Sequence, residues 1–109
     1  MASVDFREAV ETLILMRDVL KDMTWHRRIA KKLTIAGDIG KIKFLVGDKK
    51  LDAVYGEDAA AARTAVFDLD SAVMADNYIL SRKKLEVAIK SVARLIADDE
   101  IGKWRPKED

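Results

Sequence analysis

Apolar residues recur at intervals of three and four positions through four long stretches of the sequence, and short polar links separate these stretches. This period places the apolar side chains on one face of an α-helix. The single proline, Pro106, lies in the C-terminal tail, so proline interrupts none of the four stretches. Strand signals, which are alternating β-branched runs between turn residues, are missing. The pattern predicts an all-α protein.

The first helix is predicted over about residues 5–22. Asp5 and Glu8 have the spacing of a capping box, with Asp in the place of Ser or Thr. The apolar face that would reach the core is Phe6, Val10, Leu13, Val19 and Leu20, with Met16 or Leu15 between them.

The second helix is predicted to begin at Thr24, a suitable N-cap, and to end at Gly47. The apolar face is expected to be Trp25, Ile29, Leu33, Ala36 or Gly37, Gly40 and Phe44. Gly37 and Gly40 each lower helix stability. Their presence in the helix would be explained by a neighbouring helix that passes closely there. The alternative is a break in the helix near Gly37.

Two further helices are predicted over residues 57–77 and 81–97, and the link at 48–56 is either a packed loop or a single helical turn. Residues 78–80 are expected to pack across the connection between the two helices. The third helix should bury Ala62, Ala65 or Val66, Leu69, Ala72 and Val73. The fourth should bury Leu85, Ile89, Val92 and Leu95 or Ile96.

Four amphipathic helices with short connections bury their apolar faces most simply in an antiparallel up-and-down four-helix bundle. The length of 109 residues suits one domain over 1–109, with a short polar tail from about residue 98. The absence of cysteine excludes disulfides and thiolate chemistry. No apolar run approaches the roughly 20 residues that span a bilayer. The N-terminus does not resemble a targeting peptide, so the protein stays where it is made or such a segment has been removed.

Residues that could carry catalysis are sparse. His26 is the only histidine and stands beside two arginines, which disfavour a bound cation. Asp68 and Asp70 are two positions apart on a helix and so point in different directions. The acidic cluster at 98–100 is best interpreted as a solvated helix end. We expect no catalytic residue, no metal site and no cofactor.

Basic residues form two clusters that are either solvated faces or docking patches. In the second helix the basic residues are His26, Arg27, Arg28, Lys31 and Lys32, followed by Lys41 and Lys43. Arg82, Lys83 and Lys84 open the fourth helix, where the helix dipole disfavours cations. The candidate partners are an acidic protein surface, membrane headgroups or a nucleic acid. A protein is preferred, because no aromatic residues are placed for base stacking.

Tryptophan occurs at two positions, and each allows two interpretations. Trp25 at a helix start is more often a core anchor. Trp104 on the polar tail either folds back on the helices or is a binding hot spot for a partner.

The order of these features resembles the PsbQ family, the small extrinsic proteins on the lumenal side of photosystem II. The resemblance extends from about Phe6 to Ile96. It rests on Trp25 before a basic helix, a Lys- and Asp-containing link, the pattern Leu69-Asp70-Ser71-Ala72 and the spacing to Leu95. The long Pro-rich N-terminal arm of the plant members is not present in this sequence.

This resemblance implies a non-catalytic subunit, peripheral to the membrane in the thylakoid lumen of a chloroplast. Its partners would be the photosystem II core and the other extrinsic subunits, and it would help to retain calcium and chloride at the oxygen-evolving centre. We expect no nucleic-acid partner and a monomer when the protein is free. The alternatives are a lumenal subunit of another thylakoid complex and a general helical adaptor for an acidic partner.

Overall fold

The structure, a computed structural model, describes residues 5–21 and 29–100, and within them the side chains of 5–21 and 33–96. Five α-helices occur in these ranges: α1 Phe6–Lys21, α2 Ile29–Val46, α3 Lys50–Tyr55, α4 Glu57–Met74 and α5 Tyr78–Glu100. The described ranges contain no strand, and the predicted all-α class is confirmed. The predicted start of the second helix at Thr24, with Trp25 after it, lies outside the described residues.

Helix α1 follows its sequence pattern closely. Asp5 is the N-cap, because its Oδ1 accepts a hydrogen bond from the backbone N–H of Glu8 at 2.8 Å. The buried side chains are Phe6, Ala9, Leu13, Met16 and Leu20. Of the two residues left open by the periodicity, Met16 enters the core and Leu15 is 65% exposed.

Helix α2 turns the opposite face to the core from the one that the sequence predicted. The buried residues are Ile35, Ile39, Ile42 and Val46. The expected core residues Leu33 and Phe44 are 65% and 88% exposed. This helix is apolar on both sides, so periodicity alone offers two possible core faces. The face with β-branched side chains removes more apolar area from water than the face that contains two glycines.

Both glycines of α2 lie in an unbroken helix. The alternative of a break near Gly37 is therefore wrong. The prediction that a neighbouring helix passes closely there is also wrong, since a Cβ atom built on Gly37 or Gly40 would meet no atom within 4 Å. These positions face open space on the outer side of the helix.

The link after α2 forms the short helix α3, which realises the single-turn alternative. Its Leu51 and Tyr55 are buried, and the Tyr55 ring stands edge-on to Phe6 with centroids 5.6 Å apart. Gly56 joins α3 to α4 with a φ of 58°, a left-handed conformation that glycine adopts without strain.

Helices α4 and α5 bury the residues predicted for them. In α4 both alternatives, Ala65 and Val66, are buried, and in α5 Leu85, Val92 and Leu95 are buried with Ile89 and Ile96 packed beside them. The connection spans residues 75–77 and not 78–80, because α4 ends at Met74, Asn77 Oδ1 accepts the N–H of Leu80, and α5 begins at Tyr78. Tyr78 packs against the core, whereas Ile79 is 66% exposed.

Polar contacts join the helices in pairs. Helix α4 packs against both α2 and α5, and α1 packs mainly against α5. Lys43 Nζ lies 3.0 Å from Asp70 Oδ2 across α2 and α4. The salt bridges to α5 are Lys84–Asp68 at 3.7 Å and Arg94–Asp58 at 3.8 Å from α4, and Arg17–Glu86 at 3.5 Å from α1.

Candidate docking surface

A groove lies between the last turns of α1 and the first turns of α5. The Tyr78 hydroxyl holds the two helices together there, because it donates a hydrogen bond to the backbone carbonyl of Leu20. The carbonyls in the last turn of a helix lack partners within the helix, so this bond satisfies one of them. The contact brings the start of α5 against the end of α1 and creates the groove.

Cations dominate the charged residues of this groove. Arg17, Lys21, Arg82 and Lys83 line it together with one carboxylate, Glu86. Among the lining residues that the structure describes, four cations against one carboxylate leave an excess of three positive charges. We call these four cationic residues and Glu86 the cationic groove.

Local contacts orient two of the cations. Arg17 Nη1 lies 3.5 Å from Glu86 Oε1, with both side chains partly exposed. The Arg82 guanidinium lies over the Tyr78 ring at 5.9 Å from its centroid, within the range of a cation–π interaction. The N-terminus of α5 adds the positive end of its helix dipole to this region. An anionic side chain or group entering the groove would therefore meet a positive potential from both helices.

The structure divides the predicted cluster at the start of α5. Arg82 and Lys83 line the cationic groove, whereas Lys84 pairs with Asp68 of α4. Helix geometry explains the division, since successive residues point about 100° apart. Two of the three predicted docking residues of this cluster are thus brought together with α1.

The two predicted basic residues of α2 whose side chains the structure describes, Lys41 and Lys43, do not line this groove. Lys43 forms a salt bridge with Asp70, and its Nζ lies 4.9 Å from the centroid of the Phe67 ring. Lys41 is exposed. Of the remaining candidates, Lys31 and Lys32 have undescribed side chains, and His26, Arg27, Arg28 and Trp104 lie outside the described residues.

The described residues offer little for other chemistry. Asp68 and Asp70 bond to different helices, as their spacing predicted, and no group of three potential metal ligands occurs in the part of the chain that the structure describes. The buried hydroxyl of Ser81 donates to the carbonyl of Asn77 and so serves the start of α5. Among the described helices, none is long and apolar enough to cross a membrane.

Sequence reasoning missed Arg17 and Lys21 as members of the groove. The periodicity predicts both on the hydrated face of the first helix, and in the structure Lys21 is exposed whereas Arg17 is only partly exposed. Their position beside Arg82 depends on how α1 packs against α5, and no local pattern encodes that contact. The charge at the start of the last helix, which its own dipole disfavours, is the one local signal that pointed to this region.

No known protein family, curated protein or solved structure matches this chain. Of the PsbQ-like residues, Leu69-Asp70-Ser71-Ala72 and Leu95 lie within the described residues, whereas Trp25 does not. Leu69, Ala72 and Leu95 are buried, and Asp70 accepts a hydrogen bond from Lys43 of α2. These positions therefore serve the packing of helices α2, α4 and α5.

Proposed function

We propose that this chain is a non-catalytic docking subunit that binds an acidic surface of a larger assembly through the cationic groove. The observation that carries the proposal is the excess of positive charge among the described residues of the cationic groove. Arg17 pairs with Glu86, the one carboxylate among these lining residues. An anionic partner would supply negative charge for the other three cations.

For the larger assembly we propose photosystem II, with docking on its lumenal side in the thylakoid lumen. The support is the order of residues that resembles the PsbQ family, from Phe6 to Ile96. In this role the subunit would contact the photosystem II core and the other extrinsic proteins. It would help to retain calcium and chloride at the oxygen-evolving centre while binding no manganese itself.

The architecture that suits this role is an antiparallel up-and-down four-helix bundle of α1, α2, α4 and α5, with α3 as a link. The register of the salt bridges between α4 and α5 supports it. Arg94, late in α5, meets Asp58 at the start of α4, whereas Lys84, early in α5, meets Asp68 farther along α4. Contacts that advance along one helix while they retreat along the other are those of antiparallel neighbours.

The test is rebinding to photosystem II membranes from which the extrinsic proteins have been washed. The purified chain should sediment with these membranes at low salt and be released at high salt, because salt screens exposed charges. The double variant Arg82→Glu with Lys83→Glu should bind at least about tenfold more weakly. Lys90→Glu, an exposed change farther along α5, is the matched control and should bind like the wild type.

Equal binding by the double variant and the wild type would rule out the groove as the docking site. All three residues are exposed, so we expect each variant to keep its helices intact. Circular dichroism of each variant checks this. Failure of every form to bind at low salt would count against photosystem II itself.

A second candidate is a subunit of another thylakoid complex or a general helical adaptor for an acidic protein. The same groove favours it, since an excess of positive charge attracts any acidic surface of suitable shape. Salt-sensitive binding to a different acidic complex, with none to photosystem II membranes, would support this second candidate.

A further inference from the structure

A second surface, distinct from the cationic groove, lies on the outer sides of α2 and α4. In α2 it consists of Leu33, Gly37, Gly40 and Phe44, which lie opposite the buried isoleucines. In α4 it consists of Ala60, Thr64, Phe67, Ser71 and Met74. Both sets follow alternating spacings of four and three, so each forms a continuous stripe along its helix. We call the two stripes together the α2–α4 face.

The α2–α4 face exposes large apolar side chains that a hydrated surface does not require. Phe44 is 88% exposed and Met74 is 63% exposed, and Leu33 and Phe67 are exposed as well. Helices α1 and α5 also expose apolar side chains such as Leu15 and Ile79, but they place charged residues such as Glu11 and Lys90 on the same sides. An apolar surface that spans two helices indicates an interaction site.

Charge at the junction of the two helices is internally neutralised. Lys43 of α2 bonds to Asp70 of α4 and also lies over the Phe67 ring. None of the nine residues of the α2–α4 face is charged. A cationic or anionic partner would therefore find no opposite charge within the face.

We propose that the α2–α4 face binds a second copy of this chain in a two-fold symmetric dimer. A two-fold axis brings the same patch of both copies together, so a patch with an excess of one sign of charge would repel its own copy. This face avoids that repulsion. The proposed dimer does not depend on photosystem II, and it differs from the monomer expected with the family resemblance.

The order of residues along α2 suits such pairing. Leu33, Gly37, Gly40 and Phe44 read large, small, small, large in either direction. When two copies of α2 cross antiparallel about an axis near residues 38 and 39, glycine faces glycine and the backbones approach closely. Leu33 of each copy then lies towards Phe44 of the other. The open space around both glycines leaves room for a neighbouring helix.

The area available suits a weak dimer. Two 18-residue helices are each about 27 Å long, and packed side by side they present a face about 20 Å wide. Two such faces together cover on the order of 1,000 Å², near the lower limit of specific interfaces. Interfaces of this size are typical of weak contacts, so we expect a dissociation constant in the micromolar range.

Sedimentation velocity between about 1 and 200 μM tests the proposal, since this range brackets a micromolar constant. The wild type should shift from monomer to dimer as the concentration rises. Leu33→Lys and Phe44→Lys should each weaken the dimer at least about tenfold, because a buried lysine would lack a partner. Leu15→Lys is the matched control, since Leu15 on α1 has the same 65% exposure as Leu33, and it should dimerise like the wild type.

Gly37→Leu provides a second variant that the monomer should tolerate, since Gly37 is exposed and a Cβ atom there meets no atom within 4 Å. It should remain helical by circular dichroism and yet dimerise more weakly, because the backbones can no longer approach. A wild type that stays monomeric throughout the range would overturn the proposal. A dimer that Leu15→Lys disrupts while Leu33→Lys and Phe44→Lys do not would overturn it as well.

Discussion

Lys43 and Asp70 join α2 to α4 through a 3.0 Å contact between ammonium and carboxylate that is only partly open to solvent. The same ammonium lies 4.9 Å from the centroid of the Phe67 ring. One side chain thus makes an ion pair and a cation–π interaction at the seam of two helices. Because α2 is apolar on both faces, this contact helps to fix which face turns to α4.

Replacing Lys43 should destabilise the fold modestly. We expect Lys43→Met to lower the free energy of unfolding by about 1 kcal/mol, from the loss of a partly exposed ion pair and of the contact with Phe67. Lys41→Met, an exposed change on the same helix, should alter it by less than about 0.5 kcal/mol. Urea denaturation of both variants measures the difference. Equal effects of the two changes would show that the Lys43 contact is not stabilising.

The orientation of α2 predicts opposite sensitivities for neighbouring positions. Ile39 is fully buried, so Ile39→Ala should lower the free energy of unfolding by about 2–5 kcal/mol. Leu33 is exposed, so Leu33→Ala should lower it by less than about 0.5 kcal/mol at concentrations where the protein is monomeric. Denaturant titration compares the two. If Leu33→Ala lowered the free energy of unfolding more than Ile39→Ala, the result would support the orientation of α2 that the sequence predicted.

The glycines of α2 should accept alanine with a gain in stability. Gly37→Ala and Gly40→Ala each remove backbone freedom from the unfolded chain and meet no neighbour, so each should raise the free energy of unfolding by about 0.5–1 kcal/mol. Thermal and urea unfolding in dilute solution measure this gain. Gly56→Ala is the contrasting control. Its φ of 58° should make the same change destabilising by about 1 kcal/mol or more.

A loss of stability in Gly37→Ala would contradict the open surroundings of that residue. It would indicate that another part of the chain or a second copy packs there even at low concentration. Repeating the measurement at higher protein concentration separates these two causes, since only the second depends on concentration.

The hydroxyl of Tyr78 should matter for the groove as well as for stability. Tyr78→Phe removes the hydrogen bond to the Leu20 carbonyl and should lower the free energy of unfolding by about 0.5–1.5 kcal/mol. The ring stays in place beneath Arg82, so binding of an acidic partner should weaken only slightly. Chemical denaturation and the membrane rebinding assay together check both effects. An unchanged stability would show that water replaces the hydroxyl without loss.

The sequence predicted the elements whose apolar residues form a single stripe. The faces of α1 and α5 could be predicted because charged residues lie opposite their core positions, and that of α4 because several of its outer positions carry Ala, Thr or Ser. Helix α2 lacks that contrast, since Leu33 and Phe44 repeat with the same period as Ile35 and Ile39. The choice between the two stripes depends on the side-chain volume that packs against α4, which periodicity does not contain.

The cationic groove was only partly predictable for a related reason. Arg82 and Lys83 stood out because they oppose the dipole of their own helix. Arg17 and Lys21 lie about 60 residues earlier in the sequence and reach the groove only through tertiary packing. Likewise, the different position of Lys84, away from Arg82 and Lys83, could not be predicted without knowing where Asp68 of α4 lies.

Purification of the native protein from its source organism tests the central claim most directly. Membranes are solubilised gently at low salt, the chain is captured, and the accompanying proteins are identified by mass spectrometry. We predict that the photosystem II core and its extrinsic subunits accompany the chain and that concentrated salt releases it from them. A chain that travels with no photosystem II protein at low salt would contradict the proposed role.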